Sequence, residues 1–248
     1  MPSEFWVVTG AASGIGAAVT RTTRQSGATV LALDIDDAGG QALAEETGAI
    51  YQHCNVALQE DWQQVAEFLA SSRDEFGPPT RIHLNAGIQI APPDAPLSEY
   101  RFEAFTIERY RRMMGVNVDG VVFGLHTLLP LLEPGAAIVV TASLAGITPY
   151  SVDPLYAMSK HAVAGLVRSL GPTLKKRDIK INAICPGGID TAIIPEEQRT
   201  PDVAFMSPGH VATEVIRLMN VEETGKTWAK VSEDRPAFII RAPGDKSH

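Results

Sequence analysis

Cysteine is scarce in this chain: two in 248 residues, Cys54 and Cys185, each inside an apolar, strand-like run. Thiols in such settings read as small buried hydrophobes in a reducing compartment, with no disulfide framework. Basic charge is short too, with 21 Lys and Arg against 29 Asp and Glu and a formal net charge of −8. That deficit argues against a nucleic-acid partner and leaves no basic stripe for an anionic membrane surface. Long hydrophobic runs are missing. The longest, around Val121 to Leu132, is interrupted by His126 and Pro130 and falls short of the ~18 residues a membrane-crossing helix needs. An apolar strand signal begins near Phe5, which leaves no room for a signal peptide before it. The histidines (His53, His83, His126, His161, His210 and His248) lack metal-ligand spacing, so no metal is expected. A soluble cytoplasmic protein is the expectation.

What is present is a rhythm. Short apolar runs at Phe5–Val8, Ala28–Leu33, Ala49–Val56, Arg81–Leu84, Ala136–Thr141 and Ile179–Ile184 alternate with longer helical patterns, among them Ile15–Gln25 and Pro154–Lys176. Short continuous strands separated by helices pair in parallel, with both sheet faces covered. The expected fold is α/β, a doubly wound parallel sheet of about seven strands with helices on both faces, a Rossmann fold. At 248 residues and 45% hydrophobic, residues 1–248 are expected to form a single domain around one large core. The proline-rich stretch Ala91–Pro96 reads as a stiff excursion within it.

Two constellations carry chemistry. Gly10, Gly14 and Gly16, with Ser13 and Ile15 between them, join the first strand to the first helix. Glycines there let a phosphate approach bare backbone N–H groups at the positive end of a helix. Asp34 lies at the end of the second strand, eighteen residues past Gly16, where a carboxylate accepts hydrogen bonds from adenosine ribose hydroxyls. The second constellation is Tyr156-Ala-Met-Ser-Lys160, with Ser143 thirteen residues upstream. Helical spacing puts Tyr156 and Lys160 on one face. An adjacent ammonium stabilises phenolate, which would lower the phenol's pKa from its usual value near 10.

The chain resembles the short-chain dehydrogenase/reductase family from about Phe5 to Val231. The residues that carry the resemblance are Thr9 to Gly16, Asn85-Ala86-Gly87, Asn117, Ser143, Tyr156 and Lys160, and Pro186-Gly187-Gly188-Ile189-Asp190-Thr191. The resemblance implies a catalytic tetrad of Asn117, Ser143, Tyr156 and Lys160. Tyr156 would be the general base or acid, Ser143 would orient the substrate oxygen, and Lys160 would also bind the nicotinamide ribose. Asn117 would anchor a water linking Lys160 to solvent. It also implies cofactor contacts from Asn55, Val56, Asn85, Ala86, Gly87, Pro186, Gly187, Ile189 and Thr191. Within the family, Ile181–Gly187 and Tyr156–Ser169 are most similar to the 15-hydroxyprostaglandin dehydrogenase branch, in segments that serve cofactor and catalysis more than substrate choice. Three departures stand out. Leu84 replaces the first Asn of the family's Asn-Asn-Ala-Gly. Asn55 replaces an Asp that commonly contacts adenine. The stretch between Asn85 and Asn117 is longer than usual.

The expectation is therefore an NAD-dependent oxidoreductase interconverting a secondary alcohol and a ketone. Asp34, followed by Asp36 and Asp37 with no Arg or Lys beside them, favours NAD over NADP. Substrate loops are expected near 88–106 and 188–208. Pro149, Tyr150 and Ile189–Ile194 border the substrate in relatives, and their character points to an apolar alcohol or ketone. Arg109, Arg111, Arg112, Met113 and Met114 read as a solvated helix turn with packed sulfurs. The apolar surfaces of Gly120–Leu132 and Ala162–Leu174 point to a homodimer or homotetramer. Two alternatives stand beside this reading: a non-catalytic NAD(H)-binding regulatory protein, and an NADPH-dependent ketone reductase.

Overall fold

The computed structural model describes residues 4–200 and 202–241; His248 lies outside the described residues. Eight strands form one sheet: β1 (Phe5–Thr9), β2 (Thr29–Asp34), β3 (Ile50–His53), β4 (Arg81–Leu84), β5 (Ala137–Thr141), β6 (Lys180–Pro186), β7 (Lys226–Lys230) and β8 (Phe238–Ile240). Their order is β3-β2-β1-β4-β5-β6-β7-β8. The first seven are parallel and β8 is antiparallel to β7. Seven strands are expected from the sequence; the eighth is a three-residue edge strand, too short to register as a period.

Burial explains why the strands are continuously apolar. Phe5 and Val7 face one core cluster, and Trp6 and Val8 face another, so consecutive side chains of β1 are all removed from water. Helices α1 (Gly14–Gln25), α2 (Asp37–Thr47), α3 (Gln59–Ser71) and the single turn α4 (Arg73–Phe76) connect the first four strands. They are followed by α5 (Ile107–Met114), α6 (Gly120–Leu128), α7 (Pro154–Lys175) and α8 (Pro208–Leu218). α1 packs against α8 on one face, and α3, α6 and α7 cover the other. β3 stops at His53, which releases Cys54, Asn55 and Val56 into a loop at the sheet's edge.

α5 and α6 are joined by a π-helical turn, Gly115–Asp119. Together with a 3₁₀ turn at Leu129–Leu131 they make a helical run from Ile107 to Leu131, 25 residues long. Its most apolar 18-residue window has mean hydropathy 1.3, long and apolar enough to cross a membrane by length and composition. His126 therefore does not interrupt the helix, and Pro130 sits at the start of the closing 3₁₀ turn, a first-turn position that proline's fixed φ suits. The run lies along the sheet, with Val121, Leu125 and Leu128 in the core and Gly124 against Trp62 and Leu84. Leu84, the departure from the family pattern, is an ordinary core residue at 2% exposure. Both cysteines are free and buried, and burial pushes their thiols up, Cys54 to about 12 and Cys185 to about 11.

Candidate active site

The sheet order reverses between β1 and β4, and the crevice outside the carboxyl ends of strands at such a point is where ligands bind in doubly wound folds. Here it holds a cleft of about 950 Å³, lined by Gly10, Ser13, Asp34, Asn55, Asn85, Ser143, Tyr156, Lys160, Pro186 and Thr191, among others.

The β1–α1 turn forms the cleft's first wall. Gly10 has φ +63°, and a Cβ there would stand 2.9 Å from the Ala86 Cα. At Gly16 a Cβ would meet the Gly10 carbonyl oxygen at 2.1 Å. Neither position accepts a side chain, so strand and helix close tightly and leave bare backbone facing the cleft. Ser13 caps α1 without using its side chain, so the hydroxyl and the first helical N–H groups are free for an anion. Thr191 approaches from the β6 side, its methyl 3.1 Å from a Cβ placed on Gly14. These features fit the pyrophosphate of a dinucleotide.

Asp34 sits where the sequence places it, but its carboxylate is already engaged. Oδ2 accepts from Ala12 N at 2.8 Å, and Oδ1 accepts from Ile35 N at 2.7 Å and Asp36 N at 3.0 Å. A carboxylate has about four lone-pair sites, so a ribose hydroxyl can still be received. Nearby, Asp37 accepts from Tyr51 Oη at 2.7 Å and faces His53 Nδ1 at 2.9 Å, bonds that hold its carboxyl below the usual range. Asn55 spends Oδ1 on Ala57 N at 3.1 Å, so the amide donor is what it has left to offer an adenine ring nitrogen. Arg112 lines the same cleft from α5. It was read as part of a solvated turn; chain distance from Asp34 hid a cation that the fold brings to the cleft.

The floor is a hydrogen-bonded lattice. Thr9 Oγ1 accepts from Asn85 N at 2.8 Å and Ala86 N at 3.1 Å. Asn85 Nδ2 donates to Thr9 O at 3.1 Å, and Asn85 Oδ1 accepts from Thr141 Oγ1 at 3.1 Å. Asn85 thus clamps the ends of β1, β4 and β5 together. Buried His83 meets Thr141 Oγ1 through Nε2 at 2.9 Å, and burial pushes it down to about 3, which keeps it neutral. The other described histidines do no shared work: His161, for instance, bonds Ala157 O on its own helix. Among the described residues, no group of three or more His, Cys, Asp or Glu is placed to hold a metal ion.

α7 delivers the reactive pair. Its N-cap, Asp153, accepts from Tyr156 N at 2.9 Å through Oδ1 and from Ile90 N at 2.9 Å through Oδ2. One buried carboxylate therefore ties the loop after β4 to the first turn of α7, although burial raises its pKa. The Tyr156 hydroxyl stands in the cleft beside Ser143, and Lys160 Nζ lies 5.6 Å from the Tyr156 ring centre. Lys160 itself donates to Thr141 O at 3.0 Å. Gly87 leaves room for that ammonium: a Cβ there would come within 3.0 Å of it.

The expected depression of the tyrosine pKa is reversed in this state. Burial raises the Tyr156 phenol above its usual value, with the neighbouring Ser143 hydroxyl opposing only in part, while burial lowers Lys160 to about 8. Desolvation penalises both charged forms, and the ammonium is turned toward a carbonyl.

Asn117 lies in the π turn, fully buried. Its Oδ1 accepts from Ile88 N at 2.8 Å, and its Nδ2 donates to Ile88 O at 2.8 Å and Ser159 Oγ at 3.0 Å. Ser159 donates onward to Tyr156 O at 2.7 Å. The side chain is a brace between the β4 loop and α7, and all its polar atoms are used by protein. Asp153 and Ser159 escaped the sequence reading; Asp followed by Pro before an apolar run is a helix-start signal that marks the first.

The end of the cleft beyond Tyr156 is closed by residues of two loops, after β4 and after β6. Ile90, Ala91 and Tyr100 are buried, and Tyr100 donates to Pro92 O at 2.5 Å. Glu196 N donates to Pro93 O at 2.8 Å, so the longer loop after Asn85 docks on the loop after β6 and caps the cleft. Ile88, Tyr150 and Ile193 pack around Tyr156 there. On the far side Arg199 holds Asp190 at 2.6 Å and the Thr191 carbonyl.

A protein-family model described as short chain dehydrogenase matches residues 4–202. A 2,5-dichloro-2,5-cyclohexadiene-1,4-diol dehydrogenase of Sphingobium indicum is 35% identical over 193 residues, covering 76% of this chain and 73% of that protein. A cyclohexanol dehydrogenase of Acinetobacter sp. is 31% identical over 244 residues, covering 94% and 89%. Among solved structures, a 3-ketoacyl-(acyl-carrier-protein) reductase from Brucella melitensis complexed with NADH superposes with a TM-score of 0.79 at 23% identity, covering 93% of this chain and 97% of that one. The last is a likeness of fold.

Proposed function

Because the chain belongs to the short-chain dehydrogenase family, we propose that it is an oxidoreductase that interconverts a secondary alcohol and a ketone with NAD as cofactor. The observation that carries this is the continuity of one cleft, from the bare β1–α1 turn to Ser143, Tyr156 and Lys160. The names of the relatives, a diol dehydrogenase and a cyclohexanol dehydrogenase, support the substrate class.

Gly10, Ser13, Gly14 and Gly16 would hold the pyrophosphate, Asp34 the adenosine ribose, and Lys160 the nicotinamide ribose. Bound there, a nicotinamide dinucleotide supplies the two-electron acceptor or donor. The residues of this chain handle the proton. In oxidation, Tyr156 Oη takes the proton of the substrate hydroxyl as the carbonyl forms; in reduction it returns it. Ser143 Oγ fixes the substrate oxygen beside Tyr156. The ammonium of Lys160, fixed at Thr141 O, favours the phenolate once the phenol has lost its proton. Asn117 braces Ile88 and Ser159 and thereby holds the catalytic turn of α7 at the cleft. Orientation and a dry site are the protein's contribution.

Asp34 and its acidic neighbours favour NAD, since a 2′-phosphate would place like charge beside a carboxylate. The one feature that favours NADP is Arg112, a cation on the cleft wall. The test is direct. Purified protein is mixed with NAD or NADP and a panel of secondary alcohols, and reduced nicotinamide is followed by absorbance. Turnover with NAD at a kcat/KM at least about 10²-fold above NADP, a gap of roughly 2.7 kcal/mol, is expected. Preference for NADP would overturn the role of Asp34. Cofactor binding without turnover of any alcohol would favour the regulatory alternative. We place the protein in the cytoplasm, in keeping with its buried free thiols.

A further inference from the structure

Gln89 is a buried amide at the end of the cleft beyond Tyr156, at 5% exposure. It follows Ile88, which Asn117 braces, and precedes Ile90, which Asp153 braces, so both flanking residues are fixed. Its Nε2 donates to Ile193 O at 2.8 Å across the cleft. That bond sets the amide's orientation, because a flipped amide would press its oxygen against a carbonyl oxygen. With the nitrogen assigned, Oε1 is the free end. It is buried, no donor among the described residues reaches it, and the residue lines the same cleft as Tyr156 and Ser143. The neighbouring Tyr150 hydroxyl interacts with the Gln89 amide and lies 3.2 Å from Gln198 Oε1, but it is not within hydrogen-bond reach of Gln89 Oε1.

A buried acceptor without a donor is unfavourable by itself and becomes favourable when a ligand brings one. Around it stand Ile88, Ala91, Pro92, Tyr150 and Ile193, which suit a compact hydrocarbon skeleton. Resting on the proposed alcohol-oxidising function, we propose that Gln89 is a specificity-determining residue: its Oε1 accepts a hydrogen bond from a second hydroxyl on the substrate, remote from the reacting carbinol. The substrate class is then a compact apolar diol, or the matching hydroxyketone in reduction. A site built to accept such a bond discriminates against an analogue that lacks the hydroxyl, because the buried acceptor stays unpaired.

The test compares cyclohexanol with cyclohexane-1,2-, 1,3- and 1,4-diol, using the wild-type protein and Gln89→Met with NAD. Met keeps the side chain's length and removes the acceptor. It also removes the bond to Ile193 O, a structural loss that weakens all substrates alike, so the informative quantity is the ratio of diol to mono-alcohol. For at least one diol, wild-type kcat/KM should exceed that for cyclohexanol by about 10-fold or more, beyond the factor of two for equivalent hydroxyls, and Gln89→Met should bring the ratio near that statistical factor. A wild-type ratio within about twofold of the statistical value for every diol would overturn the proposal, as would a high ratio that survives Gln89→Met. Turnover of cyclohexanol with no diol advantage leaves the oxidoreductase reading standing and removes only this inference. If no alcohol turns over, that reading falls, and calorimetric binding of the same alcohols to the NAD-loaded protein decides this one by the same ratio.

Discussion

Tyr156 and Lys160 are held in a site that penalises charge on either of them, and because only the lysine is charged in the unfolded chain at neutral pH, its removal should act on rate and stability in opposite directions. Tyr156→Phe keeps the ring and deletes the hydroxyl; turnover should fall by at least about 10²-fold while NAD binding measured by fluorescence titration is retained. Near-native kcat in that variant would refute the role. Lys160→Met should abolish turnover and yet stabilise the cofactor-free protein. Burial lowers Lys160 from 10.5 to about 8, a penalty of about 3 kcal/mol at neutral pH, whereas the lost bond to Thr141 O returns about 1 kcal/mol. The sign follows from proton counting. Between pH 8 and 10.5 the unfolded chain binds more protons at this lysine than the folded one, so wild-type stability gains as pH rises through that window. The advantage of Lys160→Met should be largest below pH 8 and shrink toward pH 10, as read by parallel thermal melts. Its absence at pH 7 would contradict the buried ammonium. At the cofactor's other end, Asp34→Ala should narrow the gap between NAD and NADP mainly by improving kcat/KM for NADP. At this scale the sequence was most legible where a residue's chemistry is unusual for its place, as with Tyr156, Lys160 and Gly16. It was least legible for Ser159 and Gln89, whose partners, Asn117 and Ile193, are 42 and 104 residues away.

The elements of the site are coupled through α7. Asp153 caps it, Asn117 braces it through Ser159, and its first turn carries Tyr156. Replacing Asp153 with Ala removes acceptors for Tyr156 N and Ile90 N at once. The cost should be about 1–2 kcal/mol of stability for the cap, and more where the Ile90 N–H stays buried. Because the Ile90 end belongs to the substrate loop, kcat/KM for the alcohol should fall well beyond any change in the dissociation constant for NAD. Asp153→Asn keeps one acceptor and should recover part of both losses. Equal losses in alcohol and cofactor parameters would indicate general destabilisation. Elements were legible wherever hydrophobic period and burial agree: β1, β2, β4 and α7 fall within one residue of the boundaries expected for them. The misses have physical causes. β8 is three residues long, the third strand gives up its last residues to the cleft loop, and the helical run from Ile107 to Leu131 passes through His126 because an exposed polar residue does not break a helix.

On the scale of the whole molecule, the helix layer of α6 and α7 leaves apolar side chains outside. Val121, Leu125, Val163 and Val167 face the core, but Val122 and Met158 are 41% and 42% exposed, and only 39% of the most apolar window of the Ile107–Leu131 run is buried. Single exposed hydrophobes need no explanation, whereas a long apolar helical run with well under half of its most apolar window buried is a candidate for burial against a second copy. Symmetry favours this, because a two-fold axis buries the same patch twice. Opposing it is the net charge of −8 on each copy, a repulsion that salt screens over about 10 Å at 0.1 M. A dimer or tetramer is therefore expected at micromolar concentration by light scattering, tightening as salt rises from low ionic strength. Val122→Lys combined with Met158→Lys should give monomers with an unchanged far-ultraviolet circular dichroism spectrum. The added cations reduce the net repulsion, so dissociation of that variant would have to come from the patch itself, through lost apolar contact and the burial of unpaired ammonium groups. A wild-type protein that stays monomeric at micromolar concentration across that salt range would refute the assembly.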